Sequence, residues 1–418
     1  AANVLGRGKI SPLPNQSPQV QGVDRLALPE QFRAASAAWP TSETGDERSV
    51  LRDLVTRALS GTGAESSAAL AELEDAFSGP LPIGTGGRRG PCGPGPNRVN
   101  DQVMRETAFG LWAAMQSAEF ASTADKVAIV FDTRASSRGF ADVVAQALSS
   151  RGSEVVLVDE PRPTPQLSYL VRQHGCGAGI VISASHNPPT DNGIKVYGPD
   201  GAQVLGARDR VLMEAIVAGD VGVGDATPRI TTLGPAQADP AYIEYVLSQG
   251  VTSTALGESG LVVTFSPLHG VGHSSVLPVL RARGLAPLVV ESQLPDEGRF
   301  ATVASANPEA PAAFERSIAL ADAHAADLSL ATDPDADRLG AVARNGAGKL
   351  EFIDGNRIGV LMLDHVLRSL AAVDDPSLRE GWVLTTLVTS TLIAKLGRAR
   401  GVEVVDDLLV GFKNHAGA

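Results

Sequence analysis

Cysteine is almost absent from this chain, with Cys92 and Cys176 the two among 418 residues. Two thiols cannot build a disulfide framework, and neither sits in a Cys-x-x-Cys pair. The compartment this implies is a reducing cytoplasm. Long apolar runs are missing as well. None approaches the roughly 20 residues that cross a bilayer, and the start lacks the apolar core of a signal peptide, so no membrane partner is expected. Positive charge is in deficit, with 35 Lys and Arg against 47 Asp and Glu and a net charge of −12. A nucleic-acid binder carries a basic face, so this balance argues against a nucleic-acid partner. Any phosphate must instead be met by positive charge concentrated in the site itself. Lysine is the rarer basic residue. Only Lys9, Lys126, Lys195, Lys349, Lys395 and Lys413 occur, which draws notice to a lysine inside a glycine-rich loop.

The remaining composition, 43% hydrophobic and 20% charged, is that of a soluble globular protein. The chain is too long for one core, so two to four domains are expected. Residues 1–45, rich in Pro, Ser and Gln, read as an extended arm. Residues 47–78 carry helical spacing through Leu51, Leu54, Val55, Leu59, Leu70, Leu73 and Phe77. A glycine-rich loop at 84–95 precedes a helix at about 100–120, a strand at Val127–Phe131, a helix at 138–151 and strands at 154–158 and 179–182. A long loop comes next, and residues 219–240 read as a linker. Alternation restarts with strands at 261–265, 286–290 and 327–331 between helices at 272–284 and 309–325. It resumes with a helix at 354–371, strands at 382–388 and 402–409, and a helix at 390–399. Such alternation specifies an α/β fold with largely parallel sheets. Ligands of such sheets sit at the carboxyl ends of strands, so the segments just after the strands matter most.

After Gly179–Ile182 come Ser183-Ala-Ser185-His186-Asn187-Pro188-Pro189-Thr190-Asp191-Asn192-Gly193-Ile194-Lys195. A serine needs a base or cation nearby to become a nucleophile, and His186 and Lys195 offer both. Asn-Pro and Asp-Asn-Gly also form turns unaided, but the cluster as a whole favours Ser185 as nucleophile. After Ala326-Asp-Leu-Ser-Leu-Ala-Thr332 comes Asp333-Pro-Asp335-Ala-Asp337-Arg338. Three carboxylates at this spacing suit Mg²⁺ or Ca²⁺ and repel one another without a cation. An EF-hand is excluded, because its sixth position is Arg338 and its twelfth Arg344. The glycine loop Gly84-Thr85-Gly-Gly-Arg88-Arg89-Gly90 pairs open amides with guanidiniums, as a phosphate requires, without P-loop spacing. Asp132-Thr133-Arg134, Ser266 to Gly270 and Gly411-Phe-Lys413 stand after other strands. Each read alone is structural, His269 included.

In this order the pieces resemble the α-D-phosphohexomutase superfamily, in its phosphoglucomutase/phosphopentomutase branch. Ser183-Ala-Ser-His-Asn-Pro188 resembles the phosphoserine loop and Asp333-Pro-Asp-Ala-Asp-Arg338 the metal loop. Gly95-Pro-Asn-Arg-Val-Asn100, Asp191 to Tyr197, Ser266 to Gly272 and Asn307-Pro-Glu309 extend the likeness over roughly residues 50–413. The resemblance implies tandem mixed α/β (αβα) domains around a central cleft. A phosphoserine domain would occupy 46–235, a metal-loop domain 236–345 and a partial sugar-binding domain 346–418. The family's Glu-Ser-Gly sugar loop and its fourth, phosphate-gripping domain find no counterpart in these 418 residues.

The resemblance further implies a cytoplasmic mutase, monomeric or homodimeric, that moves a phosphoryl group between Ser185 and two positions of a sugar phosphate. A sugar 1,6-bisphosphate would be both intermediate and activator. Mg²⁺ would bind Asp333, Asp335, Asp337 and the phosphate on Ser185. His186, Lys195 and Arg89 would be catalytic, and Thr85, Arg89, Arg338 and Lys413 would hold substrate. The family's Gly-Leu-Arg-Gly has Arg88 in place of Leu here, so Arg89 rather than Arg88 inherits the role. Hexose and pentose phosphates remain open as substrates, and so does a non-catalytic phosphosugar-binding protein on the same scaffold.

Overall fold

The computed structural model describes residues 47–416, apart from 60–62, 85–86, 123, 220–221 and 252–255. The arm expected at 1–45 lies outside the described residues. The helical spacing after it resolves into two helices, Glu47–Leu59 and Ala64–Ala76, packed through Leu51, Leu54, Val55, Ala69 and Leu73.

The first sheet has six strands: β1 (Gly87–Pro91), β2 (Lys126–Phe131), β3 (Glu154–Val158), β4 (Ala178–Ile182), β5 (Asp191–Tyr197) and β6 (Ile230–Leu233), in the order β1-β5-β4-β2-β3-β6. Central strands buried on both faces need apolar residues at every position, which is why β2 to β4 read as unbroken apolar runs. Val127, Ile129 and Phe131 of β2 pack with the helices Asp101–Met115 and Ser137–Ser150. Ala128 and Val130 face the helix Thr164–Gln173 through Leu167, Leu170 and Val171. The second sheet contains β7 (Val263–Ser266), β8 (Leu288–Val289), β9 (Leu328–Thr332), β10 (Leu339–Arg344) and β11 (Leu350–Ile353), ordered β11-β10-β9-β7-β8.

The two sheets share one plan. In each, two antiparallel strands at one side (β1 and β5, or β11 and β10) lead to parallel neighbours (β4, β2 and β3, or β9, β7 and β8). The loops after β4 and β9 therefore occupy equivalent places, as do those after β2 and β7. The latter pair touch, Thr133 Oγ1 donating to the carbonyl of His269 at 2.7 Å. A third, smaller unit pairs β12 (Trp382–Thr386) with β13 (Glu403–Leu408) in parallel, over a core of Leu367, Val383, Ile393 and Val402.

Several elements differ from the sequence reading. Part of the glycine loop is strand β1, and the second half of the long loop after β4 is strand β5. The expected linker at 219–240 contains β6 and the short helix Pro235–Ala238. The helix expected at 309–325 opens as a 3-10 turn, Pro311–Phe314, and is helical from Glu315 to Ala323. The second sheet also continues past residue 345, because β11 pairs with β10. For the strands β1, β5, β6 and β11, pairing to a neighbour, rather than local composition, decides the conformation.

Candidate functional site

Strand β4 ends at Ile182, and the chain turns before β5 returns antiparallel to it. Ser185 sits in that turn at φ +53°, a left-handed conformation that strains a residue with a side chain. Its N–H donates to Ser183 Oγ at 2.8 Å, and its carbonyl accepts from Arg134 Nη2 at 2.6 Å. Held at both ends, Ser185 points its hydroxyl at the equivalent loop of the second sheet. There Oγ donates to Asp333 Oδ2 at 2.7 Å. Arg338 Nη2 meets both Ser185 Oγ and His186 Nδ1, and His186 Nδ1 lies 3.4 Å from Ser185 Oγ.

The aspartate loop is built at the end of β9. Ala336 takes φ +51° and turns the chain, and the Ala336 N–H donates to the Asp333 carbonyl. One carboxylate oxygen from each of Asp333, Asp335 and Asp337 comes within 4.8 Å of the others. Asp333 and Asp335 are fully buried, and Asp335 Oδ1 has no hydrogen-bond partner among the described residues. An orphaned buried oxygen beside two more acceptor-only groups is a set that a hard divalent cation satisfies. The residues present therefore fit Mg²⁺.

Two cations already face this cluster. Lys195 Nζ lies 2.7 Å from Asp335 Oδ2 and 3.6 Å from Asp337 Oδ2. Arg338 lies 3.2 Å from Asp333, 3.5 Å from Asp337 and 3.5 Å from Glu309. The electrostatic consequences are opposed. Burial, then the charges of Asp335 and Asp337, push the Asp333 carboxyl well above its ordinary value. Burial also opposes ionisation of Asp335, but Lys195 outweighs it and holds that carboxyl below the usual range. Burial works against the charge on Lys195 too, but Asp335 and Asp337 prevail and raise it, so the ammonium stays protonated. His186 is lowered by burial and then by Arg338 and Arg89, which favours the neutral imidazole. Arginine only donates, so Nδ1 of His186 is the acceptor.

Of the residues singled out in the sequence, Ser185, His186, Lys195, Asp333, Asp335, Asp337 and Arg338 come together across the seam between the two sheets. Lys195 reaches it from strand β5, opposite Val181, rather than from a loop. Arg89 is exposed on β1 opposite Gly193, and its charge reaches His186. Arg88 points inward, 3.0 Å from Glu106 and donating to the Leu81 carbonyl. Thr85 lies outside the described residues. Lys413 begins the short helix Lys413–Ala416 after β13, and among the described residues no hydrogen bond or ion pair joins it to the Ser185 cluster. His269 is buried, within hydrogen-bonding distance of the Leu294 carbonyl and Thr302 Oγ1, so a structural reading suits it.

Two participants escape the sequence reading. Thr164 starts a helix and holds Asp335 through Oγ1 at 2.9 Å and through its amide. Its only signal is the pair Pro163 and Pro165, which marks a helix start. Arg134 stands at a strand end, but the carbonyls of the Ser185 loop that it binds lie more than 50 residues away.

Comparisons with known proteins place both units that meet at this seam in one family. Residues 81–220 match phosphoglucomutase/phosphomannomutase alpha/beta/alpha domain I, and residues 240–346 match domain II. A phosphoglucomutase of Staphylococcus aureus (strain USA300) is 32% identical over 349 residues, 82% of this chain. The chain spans 61% of the length of that relative. Among solved structures, a putative phosphomannomutase from Thermus thermophilus superposes with a TM-score of 0.65 at 24% identity, covering 80% of this chain and 70% of that one. A phosphoglucomutase/phosphomannomutase family protein from Burkholderia thailandensis gives 0.64 at 21% identity, covering 80% and 67%. These two likenesses concern the fold. No helix among the described residues is long and apolar enough to cross a membrane. With two matched domains covering more than half of its residues, the chain belongs to the phosphoglucomutase/phosphomannomutase family of the α-D-phosphohexomutase superfamily.

Proposed function

We propose that this chain carries the phosphoryl-transfer centre of a phosphosugar mutase that interconverts hexose 1-phosphate and hexose 6-phosphate. The observation that carries the reading is the hydroxyl of Ser185, fixed 2.7 Å from Asp333 inside a three-carboxylate cluster flanked by Lys195 and Arg338. A binding protein needs the cations. It has no use for a strained serine directed at acidic groups.

Ser185 accepts a phosphoryl group from a hexose 1,6-bisphosphate and returns it to the other position of the reoriented sugar. His186, neutral and with an acceptor nitrogen beside Oγ, takes up and returns the hydroxyl proton. Lys195 is a fixed positive charge rather than a base, since two carboxylates keep it protonated. Arg338 and Arg89 face the charge of the transferring group. Asp333, Asp335, Asp337 and the Ser185 oxygen would hold Mg²⁺, whose chemistry is to neutralise charge on the phosphoryl oxygens. Arg89, Thr85 and Lys413 are assigned to the sugar phosphate.

The test is intact-mass measurement of the chain before and after incubation with hexose 1,6-bisphosphate and Mg²⁺. One added phosphoryl group, absent in Ser185→Ala, is expected. An unmodified wild-type chain would overturn the reading.

A further inference from the structure

In sequence, Arg134 reads as a structural residue after a strand. It occupies a more specific position. A guanidinium has five N–H donors in a fixed plane, and here all five are used. Nε donates to Asp132 Oδ2 at 3.1 Å. Nη1 donates to the carbonyls of Pro188 and, at 2.8 Å, Asp191. Nη2 donates to the carbonyls of Ser185 at 2.6 Å and Asn187 at 2.7 Å. Four carbonyls of the nucleophile loop are thus gathered on one cation, whose side chain is wholly buried.

Asp132 is fixed in turn, accepting from Ser137 Oγ and from the Arg134 amide. The face of the guanidinium is covered from the second sheet's side. Phe300 lies 5.1 Å from it, and Gly298 packs so closely that a Cβ there would sit 2.3 Å from the Ala135 nitrogen. Gly298 and Phe300 come from the stretch between β8 and β9, the unit that also carries Asp333.

We infer that Arg134 is the positioning residue for Ser185. It holds the left-handed turn that aims Oγ, and it does so only while the second unit is docked over it. This rests on the mutase reading. In phosphoserine formation, the Oγ–phosphorus bond forms as the bond from phosphorus to the sugar oxygen breaks, and the seryl proton ends on the freed sugar hydroxyl. Arg134 touches none of these atoms. It sets the angle and distance at which Oγ meets them, and a displacement of about 1 Å costs about a hundredfold in rate.

The experiment follows phosphoserine formation by quenched intact-mass spectrometry, with hexose 1,6-bisphosphate and Mg²⁺ added to the 418-residue chain. Arg134→Lys keeps the charge but has only three donors. Its maximal rate should fall about a hundredfold, with half-saturation changed by no more than about twofold. Thr133→Val is the control, since it removes a buried hydrogen bond across the same seam without touching the loop. Its rate should stay within about twofold of wild type. Wild-type rate in Arg134→Lys overturns the inference. So does equal slowing in both variants, which would mean that only the seam matters. Should Arg134→Lys fail to fold, Phe300→Leu decides: slowed transfer at unchanged half-saturation supports the inference, and an unchanged rate overturns it. A wild-type chain that takes up no phosphoryl group overturns the mutase reading and this inference together.

Discussion

Lys195 Nζ and Asp335 Oδ2 stand 2.7 Å apart, one on β5 of the first sheet and the other on the loop after β9 of the second. The pair joins the two units through residues 140 positions apart in the chain. Asp335 is fully buried and also accepts from Thr164 Oγ1, while its other oxygen has no partner among the described residues. Without the ammonium, a buried carboxylate would face two other carboxylates with Arg338 as the remaining nearby cation.

Lys195→Met therefore separates charge from packing. Breaking one side of a buried ion pair costs roughly 3–5 kcal/mol, and this much should be lost in chelator-treated protein measured by urea unfolding. Mg²⁺ replaces part of the missing charge, so it should raise the melting temperature of Lys195→Met more than that of wild type. Equal shifts in both would show that Mg²⁺ does not replace the charge of the missing ammonium.

Ser185 provides a second test through its backbone. At φ +53° a Cβ is strained by about 1–2 kcal/mol. In ordinary backbone, alanine is more stable than glycine by roughly 0.5–1 kcal/mol. At this position the order should reverse. Ser185→Gly and Ser185→Ala both lose the phosphoryl acceptor, but the glycine variant should unfold at higher denaturant. The opposite order would mean that the turn relaxes to an extended conformation when the hydroxyl is gone.

The parts of this site that can be read in the sequence are those whose neighbours are close in sequence. Ile182 and Thr332 close apolar strands, so Ser185 and the three aspartates can be placed at strand ends without knowledge of any contact. Lys195 cannot be placed on a strand this way, because Asp191-Asn192-Gly193 has turn-forming composition and becomes β5 only by pairing with β4. Strand β1 is hidden for the same reason. Gly-Arg-Arg-Gly has little strand propensity, and Gly87 fits only because it lacks a Cβ, which would come 2.2 Å from the Ile194 carbonyl oxygen. Arg134 and Thr164 depend on partners 51 to 171 residues away, and no local pattern carries that information.

Asp296 tests the loop that covers Arg134. Its carboxylate accepts from the amides of Phe300 at 2.9 Å and Ala301 at 2.8 Å, and lies 3.4 Å from His269 Nδ1. Burial opposes its ionisation, but these amides outweigh it and the carboxyl is held below its ordinary value. A carboxyl depressed in the folded state stabilises above its unfolded value, and that stability is lost as pH falls through the folded value. Asp296→Ala should cost about 1–2 kcal/mol at pH 7. The gap from wild type should narrow as pH drops below about 4. A gap independent of pH would assign the cost to packing instead.

Arg88 and Arg89 are adjacent, yet strand β1 sends them to opposite sides. Arg88 is buried against Glu106, with its Nε lacking a partner among the described residues. Arg89 is exposed opposite Gly193. Their methionine variants should fail in different ways. Arg88→Met leaves Glu106 half-buried without its cation and should lower stability by about 1–3 kcal/mol, while the folded fraction still accepts a phosphoryl group. Arg89→Met should unfold with wild-type stability, since surface changes usually stay within about 0.5 kcal/mol. Its half-saturation for hexose 1,6-bisphosphate should rise by about tenfold, the loss of one charged hydrogen bond to phosphate. Urea unfolding and phosphoserine formation on the same two proteins make the comparison. If Arg88→Met rather than Arg89→Met shows the weakened uptake, then Arg88 turns outward when the sugar phosphate binds and the assignment of Arg89 falls.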